Sequence, residues 1–471
     1  MKTIIVGGGI GGISSALLAS QRGEEVTLFE AHENIGGCAS WFKRGKFCFD
    51  VGATTVSGVD FNQPLGKIFN LIGKSPELTW QDPGIVFHLS NGKKLSYCCG
   101  FDAWMLELEK TFPHLSHRPF WEKVYKINSH AWELLDSVKS FPFKSIADFT
   151  EIFSRPDLFN LYPYLLVNTE MMLKIHGLYN PEYLELINGI LLISAQAHAE
   201  NVPFLIGAMA LAYPRQTYAP QGGMRGFFDF LESACLDKGI RVKNKSRVTM
   251  IDNHKVFLNQ DSHEYDQLIL NVPCWNQAEL FQGQEKVIIE KDLKEPKEAW
   301  GAFTLYFGIP SFTNDLYQQV HLNHPEVSNY FISFSLPEDE SRAPLGWQAV
   351  TISTHVNVEN WFGVSSHDYL LKKQAIMNII ISDFKERFSI QEVKHLTAGT
   401  PKTFQDYTLR KNGYVGGLPF LYGMNPFSIL SSETSVEKVF RVGDTIFPGQ
   451  GLVGVAAGAL ALDYRIKKSM S

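Results

Sequence analysis

Along this chain the spacing of apolar residues changes several times between that of strands and that of helices. Thr3 to Val6 is a short apolar, β-branched run and predicts a buried strand. It breaks at once into Gly7-Gly8-Gly9-Ile10-Gly11-Gly12, after which Ile13 to Ser20 has helical spacing. Glu25 to Phe29 predicts a second strand. Much later, Phe227, Phe230, Leu231 and Ala234 mark one face of a helix that stops at Lys238-Gly239. Strands are predicted around Ile240 to Val242, from Tyr265 to Val272 and from Val439 to Val442. Between them, Ala302 to Phe307 alternates, Tyr369 to Phe388 predicts a long helix, and Phe159 to Leu166 and Leu184 to Ile193 have helical character. The class this predicts is α/β. No internal repeat is seen.

Gly7, Gly9 and Gly12 hold the three positions of G-x-G-x-x-G between a strand and a helix. Gly7 permits the tight turn, Gly9 lets backbone approach a pyrophosphate, and Gly12 allows close helix–strand packing. The helix start, with Gly11 beside it, offers free N–H groups to phosphate. Such glycine runs are common, so the context decides. Glu30 ends the second strand, eighteen residues after Gly12, where a carboxylate accepts from an adenosine ribose and disfavours a 2′-phosphate.

Two further segments resemble one superfamily. Gly36-Gly37 follows Glu30, and Phe49-Asp50-Val51-Gly52 follows in turn. This doublet and F-D-x-G element resemble the FAD-binding amine oxidase and phytoene desaturase superfamily. That family often has Arg after the doublet; here Cys38 stands there, as in some carotenoid isomerases and desaturases, and one phosphate contact is not carried over. Near the other end, Gly443-Asp444 and then Gly449 to Gly458, small and apolar at helical spacing, resemble the family's G-D motif and flavin helix. Asp444 would accept from ribityl hydroxyls. The helix opening at Gly451, Leu452 and Val453 would aim its positive end at the flavin. In the middle, Val248 matches the element that touches adenine through backbone in that family, and a plain hairpin reading is equally open.

The resemblance implies a discontinuous Rossmann-like FAD-binding domain, residues 1–60, 215–280 and 425–471, with an inserted α+β substrate-binding domain, residues 61–214 and 281–424. Within the superfamily, Pro220-Gln221-Gly222-Gly223-Met224 and the run Thr400-Pro401-Lys402-Thr403-Phe404, Tyr407, Arg410, Gly413 and Gly416-Gly417 are similar to phytoene desaturases, carotenoid isomerases and retinol saturases. A strand with turns beside the cofactor explains the second run equally simply.

Composition narrows the partners. The formal net charge of -6, without a Lys/Arg cluster, argues against nucleic acid. Thirty-four Phe, 17 Tyr and 9 Trp suit a packed core or an apolar cavity. Six irregularly spaced cysteines, none in C-x-x-C, predict no metal site and a cytoplasmic, reduced protein. No stretch reaches the ~18 apolar residues of a membrane span. Peripheral contact with the inner face of a membrane stays open, because residues 140–215 are apolar and aromatic.

The resemblance implies an FAD-dependent oxidoreductase that desaturates, isomerises or saturates a long apolar isoprenoid polyene. Such chemistry needs a C–H bond held near the flavin in a dry cavity. No single proton-transfer residue stands out; His198, Glu200, Arg215 and Arg410 are candidates that read equally well as surface or ion-pair residues. An amine oxidase-like or protoporphyrinogen oxidase-like enzyme is the alternative on this fold, with Tyr407, Tyr414 and Phe420 available for an aromatic pair. The non-enzyme alternative is a lipid-binding chaperone of the GDP-dissociation-inhibitor type, disfavoured because Glu30, Asp444 and the glycines are retained. The oligomeric state is not legible.

Overall fold

In the computed structural model, residues 1–138, 141–142, 160–259, 261–293, 299–425 and 428–470 are described. A five-stranded parallel sheet is assembled from distant parts of the chain, in the order Val439–Arg441, Gln267–Leu270, Lys2–Val6, Glu25–Phe29, Arg241–Lys243. Its three central strands are short and buried along most of their length because both faces are covered, whereas the edge strand Arg241–Lys243 is largely exposed. Ile5, Val26, Leu28 and Ile269 point into one core with the helices Ile10–Gln21, Gly223–Asp237 and Gly451–Met470. Ile4, Val6, Phe29, Leu268 and Leu270 point into another, against a three-stranded antiparallel sheet and the helix Gly283–Leu293. Side-chain alternation along each strand thus divides its residues between two cores.

Two helices placed in the second domain by the sequence boundaries pack on this first unit. Leu65, Ile68 and Phe69 of Pro64–Ile72 join the first core, and Ile289 and Leu293 join the second. Their apolar faces fit the parallel sheet's layers, which no boundary drawn from motif spacing reveals. The run expected from Phe159 begins outside the described residues; its described part contains only the short turn Tyr162–Leu165. The region of Leu184 to Ile193 is the helix Pro181–Ser194, and the long helix runs Ser366–Phe388.

The second unit is built on a seven-stranded mixed sheet. The alternation in Gly301–Pro310 assigns its faces. Phe303, Leu305 and Phe307, with Ile352, Val350 and Ile332 from the adjoining strands, pack against Ile376, Ile380 and Phe384 of the long helix. Burying these large side chains, at ~1.5–3 kcal/mol each, anchors the layer. The opposite face carries Ala302, Thr304 and Tyr306 and looks toward the first unit.

Asp50 couples the two units. Its Oδ2 accepts from Arg342 Nη1 at 2.8 Å, and its Oδ1 accepts from the backbone N–H of Met224 at 2.9 Å. It therefore holds the start of the helix Gly223–Asp237 and an arginine of the second unit together. Burial raises its pKa even though Arg342 opposes that shift. Gly223, at φ +64°, has no room for a Cβ, which would lie 2.1 Å from Arg342 Nη1. The F-D-x-G and P-x-G-G-M segments are thus two sides of one clamp.

Candidate dinucleotide and substrate cavity

The carboxyl ends of the central strands open where the sheet order reverses, between Lys2–Val6 and Gln267–Leu270. Gly7 donates to Phe29 O at 2.8 Å and takes φ +104°; a Cβ there would meet Asn271 O at 2.5 Å. At Gly12 a Cβ would lie 2.1 Å from Gly7 O, so this glycine serves packing and does not line the cavity. Gly9 and Gly11 do line it, with Asn271 side-chain atoms 3.0 Å and 2.7 Å from their would-be Cβ positions. The helix Ile10–Gln21 starts with no side-chain cap, leaving its first N–H groups for a ligand.

Glu30 also lines the cavity, but its carboxylate is already engaged. It accepts from Gly8 N at 2.6 Å and from His32 N at 2.8 Å. These bonds fix the glycine loop on the second strand and leave the remaining lone pairs available. Gly36, at φ +125°, donates to Gly8 O at 2.9 Å, so the doublet Gly36-Gly37 lies against the loop. Val248 is in a loop ahead of the strand Met250–Asp252; its buried side chain packs with Val6 and Phe29 while the residue borders the cavity.

From the far end of the chain come Gly443, Asp444, Gly451, Leu452 and Val453, all at the same cavity. Gly451 starts a helix that runs to Met470, and the side-chain Nε2 of Gln450 before it is buried without a partner among the described residues. Asp444 accepts from Arg410 Nη2 at 2.8 Å, and Arg410 Nε donates to Tyr414 O at 2.5 Å. Burial opposes the charge on Arg410, yet Asp444 and the neighbouring Cys38 hold its pKa above the ordinary value. Burial keeps the Cys38 thiol protonated, its pKa raised despite Arg410. The run 400–417 has the same cause: a Cβ on Gly417 would stand 2.0 Å from Asp444 O, and one on Gly413 1.9 Å from Pro401 O.

Of the four proton-transfer candidates, only Arg410 lines the cavity. His198 and Glu200 are exposed, and Arg215 donates to Cys99 O and covers the Tyr125 ring. Tyr407, Tyr414 and Phe420 do not form a pair: Tyr407 is exposed, Tyr414 packs on Trp275, and Phe420 on Phe447. Sequence reasoning missed Asn271, whose Nδ2 donates to Gly7 O at 3.1 Å. A polar residue just past an apolar strand of a parallel sheet is the signal that marks it. All six cysteines are free, and no metal-binding cluster is present among the described residues. Nor is any described helix long and apolar enough to cross a membrane.

The cavity, about 1780 Å³, is continuous from Glu30, past Asp444, to the polar face of the seven-stranded sheet. Residues 5–71 match the family model described as an NAD(P)-binding Rossmann-like domain. The whole fold is similar to cyclohexylamine oxidase from Brevibacterium oxydans, with a TM-score of 0.62 at 16% identity over 100% of this chain and 99% of that one. Fold and site together define a protein with a Rossmann-like dinucleotide-binding domain and an amine oxidase-like architecture. In sequence, the chain is 26% identical to a chloroplastic prolycopene isomerase of Daucus carota, over 98% of this chain and 79% of that protein. It is 22% identical to a 4,4'-diapolycopen-4-al dehydrogenase of Metabacillus indicus, over 98% and 95%. Over nearly all of its length the chain is thus related to carotenoid isomerases, dehydrogenases and desaturases, and by that relation it is an oxidoreductase.

Proposed function

We propose that this enzyme binds FAD and acts on a long isoprenoid polyene of the carotenoid kind, by desaturation, isomerisation or saturation. The observation that carries this reading is the cavity of about 1780 Å³ that joins two distant dinucleotide half-sites to the inner face of the seven-stranded sheet. The residues fit the cofactor. Gly7, Gly9 and Gly11 line the cavity with bare backbone held against Asn271, the helix at Ile10 is uncapped, and Gln450 presents an unsatisfied amide. Glu30 would hold the adenosine ribose, the N–H groups at Ile10 the pyrophosphate, and the Val248 backbone the adenine edge. The Oδ1 of Asp444, whose Oδ2 is taken by Arg410, would hold the ribityl chain.

When bound, FAD would supply the hydride acceptor for desaturation or, in its reduced form, the electron donor for saturation or isomerisation; the chain supplies orientation and exclusion of water. Arg410 positions Asp444 and, as a permanent cation, is not a proton-transfer group. The amine oxidase-like and protoporphyrinogen oxidase-like alternative is not favoured: its support is fold similarity at low identity, whereas sequence similarity over the full chain is to carotenoid enzymes. Tyr162, Leu166 and Ile175 are large apolar side chains left exposed, and on that ground we propose peripheral membrane contact through this region, which liposome flotation tests.

The primary test is an absorbance spectrum of the purified protein before and after denaturation. Bands near ~370 and ~450 nm with FAD released are expected. Incubation of the yellow protein with phytoene-type and retinoid polyenes, aerobically and reduced, then tests turnover. A colourless protein that cannot be reconstituted with FAD would refute the reading.

A further inference from the structure

The polar face of the seven-stranded sheet is divided into rows with different fates. In one row, Tyr306, Thr351, Ser333 and Tyr317 lie side by side across four strands. Each is matched to the first unit: Tyr306 donates to Val51 O at 2.6 Å, Thr351 to Asp50 O at 3.1 Å, and Tyr317 to Thr54 O at 3.0 Å. Ser333 Oγ meets Thr54 Oγ1 at 2.5 Å. This row's polarity is fully explained by docking the segment 50–54.

The next row, two residues along every strand, reads Thr304, Ser353, Phe331 and Gln319, with His355 and Asn329 one step further. These residues face the cavity instead. Gln319 Nε2 donates to Asn329 Oδ1 at 3.2 Å, and Asn329 Nδ2 to Ser328 Oγ. Ser353 Oγ, Gln319 Oε1 and the ring nitrogens of His355 have no hydrogen-bond partner among the described residues. Gln319 is nevertheless only 2% exposed. A bare hydrocarbon laid on this wall would strip water from these groups and return nothing, which is costly for each one.

From this row, and resting on the polyene reading above, we infer that the substrate bears a hydroxyl or carbonyl oxygen on its isoprenoid chain, bound by Gln319, Ser353 and Asn329. A site built to hydrogen-bond an oxygen discriminates against the analogue lacking it, whereas a hydrocarbon wall distinguishes the two weakly. The unit's other face, with Phe303, Leu305 and Phe307, shows that the same strands carry apolar side chains where apolar contact is required.

The test uses the flavin-loaded protein and measures dissociation constants from perturbation of the flavin bands. The probes are lycopene and acyclic carotenoids of matched length ending in a tertiary alcohol or an aldehyde, all in one detergent. At least one oxygenated probe should bind about tenfold more tightly than lycopene. Gln319→Leu and, as a milder change, Ser353→Ala should each narrow that gap by roughly threefold or more, with flavin content reporting that each variant is folded. Lycopene binding as tightly as both oxygenated probes, or a gap unchanged in both variants, would overturn the inference while leaving the polyene reading intact. If none of the three binds, the polyene reading itself fails, and this inference with it.

Discussion

Arg410 donates to Asp444 across 34 residues of sequence, and the pair is buried at the cavity, with the arginine side chain 9% exposed and the aspartate 20%. Arg410 comes from the glycine-rich run after the helix Pro401–Thr408, and Asp444 from the end of an edge strand of the parallel sheet. One ion pair therefore ties a segment of the second unit to the dinucleotide-binding unit. Removing one partner strands the other charge. Arg410→Met should lower stability by about 3 kcal/mol, and Arg410→Met with Asp444→Asn should recover more than half of that loss. Urea denaturation of the three proteins measures both values.

Glu30 binds the glycine loop through the backbone N–H of Gly8, while its other oxygen accepts from the backbone N–H of His32, two residues on. In Glu30→Gln one acceptor oxygen becomes an NH₂ group that faces a donor. The loop should loosen and FAD affinity should fall about 10- to 100-fold, the scale of a lost hydrogen bond to a charged group. Titration of FAD into the apoprotein checks this, and unchanged affinity would remove Glu30 from the site.

Gly417 and Gly73 have nearly the same backbone, φ +82° and +80°, but different surroundings. A Cβ at Gly417 would lie 2.0 Å from Asp444 O, whereas nothing is within 4 Å at Gly73. Gly73→Ala should cost about 1 kcal/mol from the left-handed backbone alone. Gly417→Ala should cost roughly 2 kcal/mol beyond that, because backbone must move. Thermal melts of the two variants separate the effects.

His321 is buried, and burial pushes its pKa down from 6.5 to about 4. Glu185 lies 3.6 Å away, but its carboxylate is occupied by Ser90 N at 2.6 Å and Ser90 Oγ at 2.7 Å, so burial prevails. The unfolded chain therefore takes up the proton first as pH falls. This contribution is complete above pH ~6.5 and is lost toward pH ~4, on the order of 2 kcal/mol being gone at pH 5. His321→Asn should flatten the fall in stability between pH 7 and 5, measured by urea unfolding at each pH.

The local signals of this chain were strong wherever neighbouring residues decide the outcome. Strand Glu25–Phe29 ends at the acid Glu30, and the glycines at 7, 9 and 12 answer steric demands set within one turn. The α/β class and the pairing of a Gly-rich start with a Gly-Asp end were legible for this reason. Alternation in Ala302 to Phe307 likewise announced a two-faced strand. Which face is core, and which lines a cavity, depends on what packs there; only the assembled sheet put Phe303 under the long helix and Ser353, Phe331 and Gln319 in one row. Asn271, the Asp50–Arg342 clamp and the Arg410–Asp444 pair involve partners 34 to 292 or so residues apart, and no short-range period encodes such contacts. The sequence alone determined the elements and the dinucleotide loop, because their causes are local sterics and hydrogen bonding. Tertiary structure decided the cavity's polarity and the ion pairs, because those arise only when distant chain segments share a surface.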